Sequence, residues 1–238
     1  MGAMRAISII GPKKSGKTTL GIQLARELQQ RGVRVAAAKS THHGFDGQDT
    51  DTDRYAKYCT GVIGIGPNES FVRWPENRDL VNLLPLVNAD ILLVEGAKQT
   101  CRLPRILVLD REPEEGMEWL VPELAVAVFG SLKIKGIPNI KSVKELADIA
   151  QEQAFMLPGL DCGACGYQSC RNLATAIVAG TAASEECVSL GTELCLEING
   201  EKLMLNPFVQ GFTTAVIRAL LQQLKGDSDG KAVIKLDV

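Results

Sequence analysis

Two stretches of the sequence carry side chains whose types and spacing suit chemistry. The first is Gly11-Pro12-Lys13-Lys14-Ser15-Gly16-Lys17-Thr18, a G-x-x-x-x-G-K-[ST] pattern. Phosphate oxygens need many donors in a small volume. Glycines let backbone N–H groups converge there, and a helix N-terminus adds positive potential. In this pattern Lys17 reaches the β- and γ-phosphates of a nucleoside triphosphate, and the Thr18 hydroxyl ligates Mg²⁺. Gly11, Lys13, Lys14, Ser15, Gly16 and Thr19 complete the candidate cradle. Lys13 and Lys14 add charge at its mouth, where they contact phosphate or stay solvated. The sequence has no Asn-Lys-x-Asp, so it leaves ATP and GTP both open.

The second stretch is Cys162-Gly163-Ala164-Cys165-Gly166-Tyr167-Gln168-Ser169-Cys170, followed by Cys187: C-x2-C-x4-C-x16-C. Four thiolates are what a cubane [4Fe-4S] cluster needs, one per iron. Gly163 and Gly166 permit the tight turns that point neighbouring thiolates inward, and N–H groups in such turns donate to cluster sulfurs. Ala174, Ile177 and Val178, on a short helix after Cys170, are placed to keep the cluster dry. Structural zinc usually takes two close ligand pairs, whereas only one C-x2-C pair is present. Disulfides are disfavoured in the reducing compartment where a P-loop protein works. The other three cysteines, Cys59, Cys101 and Cys195, default to small buried hydrophobes.

Further polar groups fall where a parallel sheet would deliver them to the phosphate loop. Glu95 closes the apolar run 91–94; it would hold Mg²⁺ through water, orient an attacking water, or simply cap the strand end. Residues 42–54 form a polar run with His42, His43, Asp46, Asp49, Asp51 and Asp53, read as a loop. Asp49 is the best candidate there for nucleotide-linked chemistry. The adjacent histidines serve as substrate contacts or as plain loop polarity. Lys17, Asp49 and Glu95 are therefore the candidate catalytic set.

These groups need a scaffold. Residues 5–10 read as a buried strand, 18–30 as a helix with Leu20, Leu24 and Leu28 on one face, and Gly32 as its stop. A strand over 33–38 completes a βαβ unit and so implies a parallel sheet. Strands over 62–65, 70–73, 89–94, 105–109 and 124–129 and helices over 78–87 and 143–153 continue a doubly wound α/β pattern. The fold class expected is an α/β P-loop NTPase with a mostly parallel sheet flanked by helices, plus a small inserted iron–sulfur module. Its parts are a nucleotide-binding domain over 1–155, the module over 156–194, and a closing segment over 195–238. That last segment holds a hairpin around Asn199-Gly200, a helix over 207–225 and an edge strand over 232–238.

Composition agrees. The 238 residues carry a formal charge of −2, with 45% hydrophobic and 23% charged residues. That excludes bulk disorder, and a pI near 5.8 argues against nucleic acid as the main partner. No apolar run approaches the ~18 residues of a membrane helix, and the first residues lack a signal-peptide core. A cytoplasmic protein is expected.

The phosphate loop together with Lys39-Ser40-Thr41-His42-His43, Gly47-Gln48-Asp49-Thr50, Arg54 and Val94-Glu95-Gly96-Ala97-Lys98 resembles the molybdopterin-guanine dinucleotide biosynthesis protein B family over about the first 150 residues. The resemblance implies a homodimeric nucleotide-binding protein associated with molybdenum cofactor maturation. It implies nucleotide contacts from residues 11–19, Mg²⁺-linked chemistry at Glu95, and Asp49 nearby. Typical members lack the cysteine stretch. That stretch resembles the four-cysteine iron–sulfur domain of corrinoid iron–sulfur proteins and of the Rnf electron-transfer complex, which implies Cys162, Cys165, Cys170 and Cys187 as ligands of one [4Fe-4S] cluster. A nucleotide switch and a redox centre on one chain suggest an NTPase that matures, delivers to or reductively activates a client metallocofactor enzyme. Two alternatives are a non-hydrolysing binder of a molybdopterin nucleotide with a structural cluster, and a nucleotide-gated electron-transfer adaptor.

Overall fold

The structure, a computed structural model, describes residues 4–40, 51–110, 117–190, 194, 196–198, 201–203 and 205–223. In chain order its elements are β1 (Arg5–Ile10), α1 (Lys17–Gln30), β2 (Val35–Lys39), α2 (Asp51–Ala56), β3 (Val62–Ile65), β4 (Ser70–Arg73), α3 (Leu80–Leu83) and β5 (Ile91–Glu95). There follow β6 (Arg105–Val108), β7 (Ala125–Phe129), β8 (Asn139–Ile140), α4 (Val143–Gln153), α5 (Cys170–Val178), β9 (Leu196–Ile198), β10 (Glu201–Leu203) and α6 (Pro207–Leu221).

Six strands form one parallel sheet in the order β2-β5-β1-β6-β7-β8. Its strands are nearly continuous apolar runs because helices or loops cover both faces. On one face Leu20, Leu24 and Leu28 of α1, spaced by one helical turn, pack with Leu146, Ala147 and Ala150 of α4 against Ile7, Ile9, Ile91 and Ile106. The other face buries Ala6, Leu92, Val94 and Leu103. Gly32, at φ 78°, ends α1 as expected, and the Val33 N–H reaches back to the Leu28 carbonyl at 3.1 Å.

Several expectations change. The helix read over 78–87 shortens to α3 and a 3₁₀ turn over Leu84–Leu86, because Pro85 lacks the N–H that an α-turn needs. Residues 51–54 of the polar run belong to α2 rather than to a loop. β8 is an additional short edge strand. β3 and β4 form their own antiparallel hairpin, with Ile63 and Ile65 exposed. Among the described residues β9 and β10 pair only with each other, so the segment after the cysteines adds no strand to the main sheet. α6 starts at an Asn206 cap whose side chain accepts from the Val209 N–H, but none of its residues is buried. Its Phe208 and Phe212 stack on its exposed surface. The strand read over 232–238 lies outside the described residues.

The register of β2 against β5 matters most for the site. Val35 lies opposite Ile91, and Lys39 opposite Glu95. Just before both strands, Arg34 grips Asp90: its N–H and Nε bond to Oδ2 at 3.0 and 3.1 Å, and Nη2 to Oδ1 at 2.5 Å. These bonds hold the Asp90 carboxyl down at about 2. A depressed carboxyl contributes stability that is fully present above its unfolded pKa and disappears as pH falls through the folded one. Acid titration of unfolding should therefore show a loss between about pH 4 and pH 2. Asp90→Asn should remove this component and leave the neutral-pH fold intact by circular dichroism.

Candidate phosphate site and cysteine pocket

β1 lies in the interior of the sheet and delivers the loop 11–16 to its C-terminal edge. The loop is tight. A Cβ on Gly11 would stand 2.5 Å from the Val108 carbonyl oxygen and 2.6 Å from Ser15 Oγ. Lys14 (φ 65°) and Gly16 (φ 86°) are left-handed, which turns the chain into α1. α1 has no side-chain cap, so its first-turn N–H groups face the loop without an intrahelical partner. Ser15 Oγ is buried with no hydrogen-bond partner, and Lys17 Nζ folds over the loop to the Pro12 carbonyl at 2.5 Å. Orphan donors around a cationic head are the donor set a polyphosphate requires. Burial lowers the Lys17 pKa, Glu95 opposes the shift, and Lys98 and Lys39 add to it.

Glu95 meets this loop because β5 lies beside β1, with Ile9 opposite Glu95. Its Oε1 accepts from the Thr18 hydroxyl at 2.9 Å and pairs with Lys39 Nζ at 3.4 Å. Among the described residues, the Thr18 and Glu95 oxygens could hold a divalent cation. The chain leaves Glu95 through left-handed Gly96 (φ 83°), where a Cβ would stand 2.7 Å from the Ser40 carbonyl oxygen. Lys13, Lys14 and Thr19 are exposed around the loop. His42, His43, Asp46 and Asp49 lie outside the described residues. Sequence reasoning gave no role to Lys39 and Lys98. The signal for Lys39 was its place at the C-terminal end of a strand, on the phosphate side.

The cysteine segment folds by turns. Asp161 (φ 46°), Gly163 (φ 69°) and Gly166 (φ 85°) are left-handed. The Cys170 N–H donates to Asp161 Oδ1 at 2.6 Å, and Ser169 caps α5 by accepting from the Asn172 N–H. Cys162, Cys165, Cys170 and Cys187 all line one pocket, with Pro158, Leu160, Tyr167 and Val188. Beneath it Leu157, Leu173, Ala174, Val121 and Leu124 form a buried cluster, with Ile177 and Val178 packed on it. Burial raises the Cys187 thiol pKa. Cys170, Cys165 and Cys162 raise it further, against a hydrogen bond from the Ser189 backbone. Cationic metal beside the Cys187 thiol would offset this and favour its thiolate. Among the described residues no three His, Cys, Asp or Glu side chains close on a single-ion point. The four thiols stand around the pocket wall, and thiolates are the donors iron–sulfur groups take. Cys101 is half-buried, but Cys59 is exposed rather than buried, because it follows α2 where the chain has left the sheet. Cys195 lies outside the described residues.

A phosphate loop between the first strand and first helix of a parallel sheet, with a strand-end carboxylate beside it, defines a P-loop NTPase-like fold. Residues 6–129 match the family model for molybdopterin guanine dinucleotide synthesis protein B, MobB. The chain belongs to this family. A second model, described as "Putative Fe-S cluster", matches residues 157–189. The molybdopterin-guanine dinucleotide biosynthesis adapter protein of Haemophilus influenzae is 30% identical over 159 residues, covering 61% of this chain and 86% of that protein. A component of the ion-translocating oxidoreductase complex of Rhodobacter capsulatus is 39% identical over 54 residues, 23% of this chain. The match spans only 29% of that component's length. The crystal structure of Bacillus subtilis MobB shares the fold, with a TM-score of 0.51 and 22% identity over 63% of this chain and 98% of that one. No helix among the described residues is long and apolar enough to cross a membrane.

Gly11→Ala should push the loop off β6. Calorimetric titration with magnesium nucleotide should show at least tenfold weaker binding, about 1.4 kcal/mol or more, and the thermal unfolding midpoint should fall as well, because the clash is with backbone.

Proposed function

We propose that this chain is a magnesium-dependent ATP or GTP hydrolase carrying a [4Fe-4S] cluster, acting in maturation, delivery or reductive activation of a molybdenum-cofactor or related metalloenzyme. The observation that carries this reading is the meeting of Lys17, Thr18 and Glu95 at the loop, on the same chain as a pocket lined by four thiols. In hydrolysis, water attacks the γ-phosphorus, the bond to the β–γ bridging oxygen breaks, and nucleoside diphosphate and phosphate leave. Lys17 neutralises charge on the β- and γ-oxygens, and Thr18 and Glu95 are the metal-side oxygens. Asp49 is the candidate to orient the water, together with Glu95. Cys162, Cys165, Cys170 and Cys187 hold the cluster, within a module over 156–194. When bound, the cluster supplies a one-electron centre. The partners are a client metalloenzyme or redox protein and a second copy of this chain. The exposed Ile63, Ile65, Phe71 and Val72 of the β3–β4 hairpin support the homodimer. Work in the cytoplasm fits reduced thiols.

A second reading is a binder of a molybdopterin nucleotide that does not turn over. It is favoured by the charge at the loop, where Lys17 feels the charges of Lys39 and Lys98 as well as that of Glu95, which pairs with Lys39. Anaerobic purification should yield about four irons per chain and magnesium-dependent phosphate release that Lys17→Ala abolishes. Cys162→Ser should lose iron and keep nucleotide affinity. Full zinc occupancy without iron would overturn the cluster assignment. Tight nucleotide binding without phosphate release would establish the second reading.

A further inference from the structure

Arg105 has no part in the chemistry above, yet it is the bulkiest fully buried side chain among the described residues. It opens β6 opposite Ser8 of β1. Its Nη1 donates to the carbonyls of Trp119 (2.5 Å) and Leu120 (3.1 Å). Its Nη2 donates to the carbonyls of Lys98 (2.9 Å) and Thr100 (3.1 Å) and to Cys101 Sγ (3.5 Å). All five acceptors are carbonyls or a thiol. Among the described residues no carboxylate bonds to this guanidinium, and its Nε has no partner. Glu123 acts on this charge only through space, without a hydrogen bond; a guanidinium so deeply desolvated is costly, and a methionine or leucine would fill the same volume without that cost.

What the guanidinium does is join two chain segments, each of which reaches the cysteine pocket. The first leaves Glu95. Lys98, whose charge acts on Lys17, sets its Nζ 3.5 Å above the Trp119 ring. Three residues on, Cys101 packs onto the buried cluster that includes Cys187. The Arg102 carbonyl then accepts the Leu157 N–H at 3.1 Å, and its Nη1 donates to the Pro158 carbonyl at 2.7 Å; Pro158 lines the pocket. The second segment carries Trp119 and Leu120 into Glu123, which pairs with Arg171 beside Cys170 at 2.5 Å.

We propose that Arg105 is a positioning residue that couples the phosphate loop to the cysteine pocket, so that nucleotide binding and the oxidation state of the bound cluster alter each other's equilibrium. This rests on the proposed function, because it needs both nucleotide and cluster on the chain. A phosphate or cation at Glu95 and Lys98 displaces the segment 96–102. With its carbonyls held by Arg105, the segment passes that displacement to Pro158 and to the apolar floor, where solvent access sets cluster potential. Coupling between sites is reciprocal. If nucleotide binds the reduced form tenfold more tightly than the oxidised form, the midpoint potential rises by about 59 mV for one electron.

The test uses the anaerobically purified, iron-loaded full chain. Its midpoint potential is measured by electron paramagnetic resonance without nucleotide and with the magnesium complexes of AMPPNP and GMPPNP. Nucleotide affinity is measured separately on oxidised and reduced protein. The expected result is a coupling of about fivefold or more, with the two measurements agreeing in size and sign. Arg105→Met should bring it to no measurable factor, with iron content and nucleotide affinity retained, and Arg105→Lys should restore part of it. If Arg105→Met does not fold, Arg102→Ala, which removes the bond to the Pro158 carbonyl, and Glu123→Gln, which removes the charge that pairs with Arg171, each sever one arm and should each reduce the coupling. A variant that binds both groups and keeps the full shift overturns the role of Arg105. Wild-type protein that loads iron, binds nucleotide and shows no shift overturns the coupling but leaves the proposed function standing. Failure to load iron or bind nucleotide at all overturns both.

Discussion

The chemistry of this molecule depends on β1 lying parallel between β5 and β6. That arrangement brings the ends of β1, β2 and β5 to one edge, with Ile9 and Lys39 both opposite Glu95. A phosphate loop, a carboxylate and an ammonium group therefore meet without any of them being drawn from a flexible arm. A one-residue slip of β5 would send every side chain to the other face. Glu95 would then leave Thr18 and face an apolar layer, where an unpaired carboxylate is several kcal/mol out of place. The Arg34–Asp90 clamp at the opposite end of the same strands works against such a slip.

Two further sets of charges shape what is built on that edge. Desolvating the Arg105 guanidinium costs on the order of several kcal/mol. Hydrogen bonds from a charged donor return about 1.5–3 kcal/mol each, and here they go to four carbonyls and a thiol. The fold thus uses the hydrogen bonds of a buried cation to fix loop geometry, while the Glu123 carboxylate acts on it only through space. In the cysteine pocket the resolved effect falls on Cys187, whose thiol pKa is raised by burial and by the neighbouring thiols.

Much of this was legible in the residues. The strand-loop-helix around Gly11 to Gln30 was readable because its glycines, its lysine and its leucine spacing each point to the same geometry. The ends of β3, β4 and α4 follow their apolar periodicity. The pocket was readable because three thiols lie within nine residues between turn-forming glycines. What escaped depends on contacts from far along the chain. β8 has two residues and therefore no period. Arg105 looks like an ordinary charge at a strand entrance, and its burial depends on acceptors contributed by residues 98–120. The hairpin and helix after the cysteines had the right local signals, but no local signal says whether a strand joins the main sheet.

The order of the parts along the chain has a consequence for biosynthesis. Every strand of the parallel sheet lies before residue 141, and α4 ends at Gln153, ahead of the first pocket cysteine. Chains fold N-terminal units first as they emerge. A nascent chain can therefore complete its sheet while Cys162 is still inside the ribosome. The nucleotide edge can thus form independently of the pocket, whose floor closes only when Leu173 and Ala174 follow the cysteines out and pack on Val121 and Leu124.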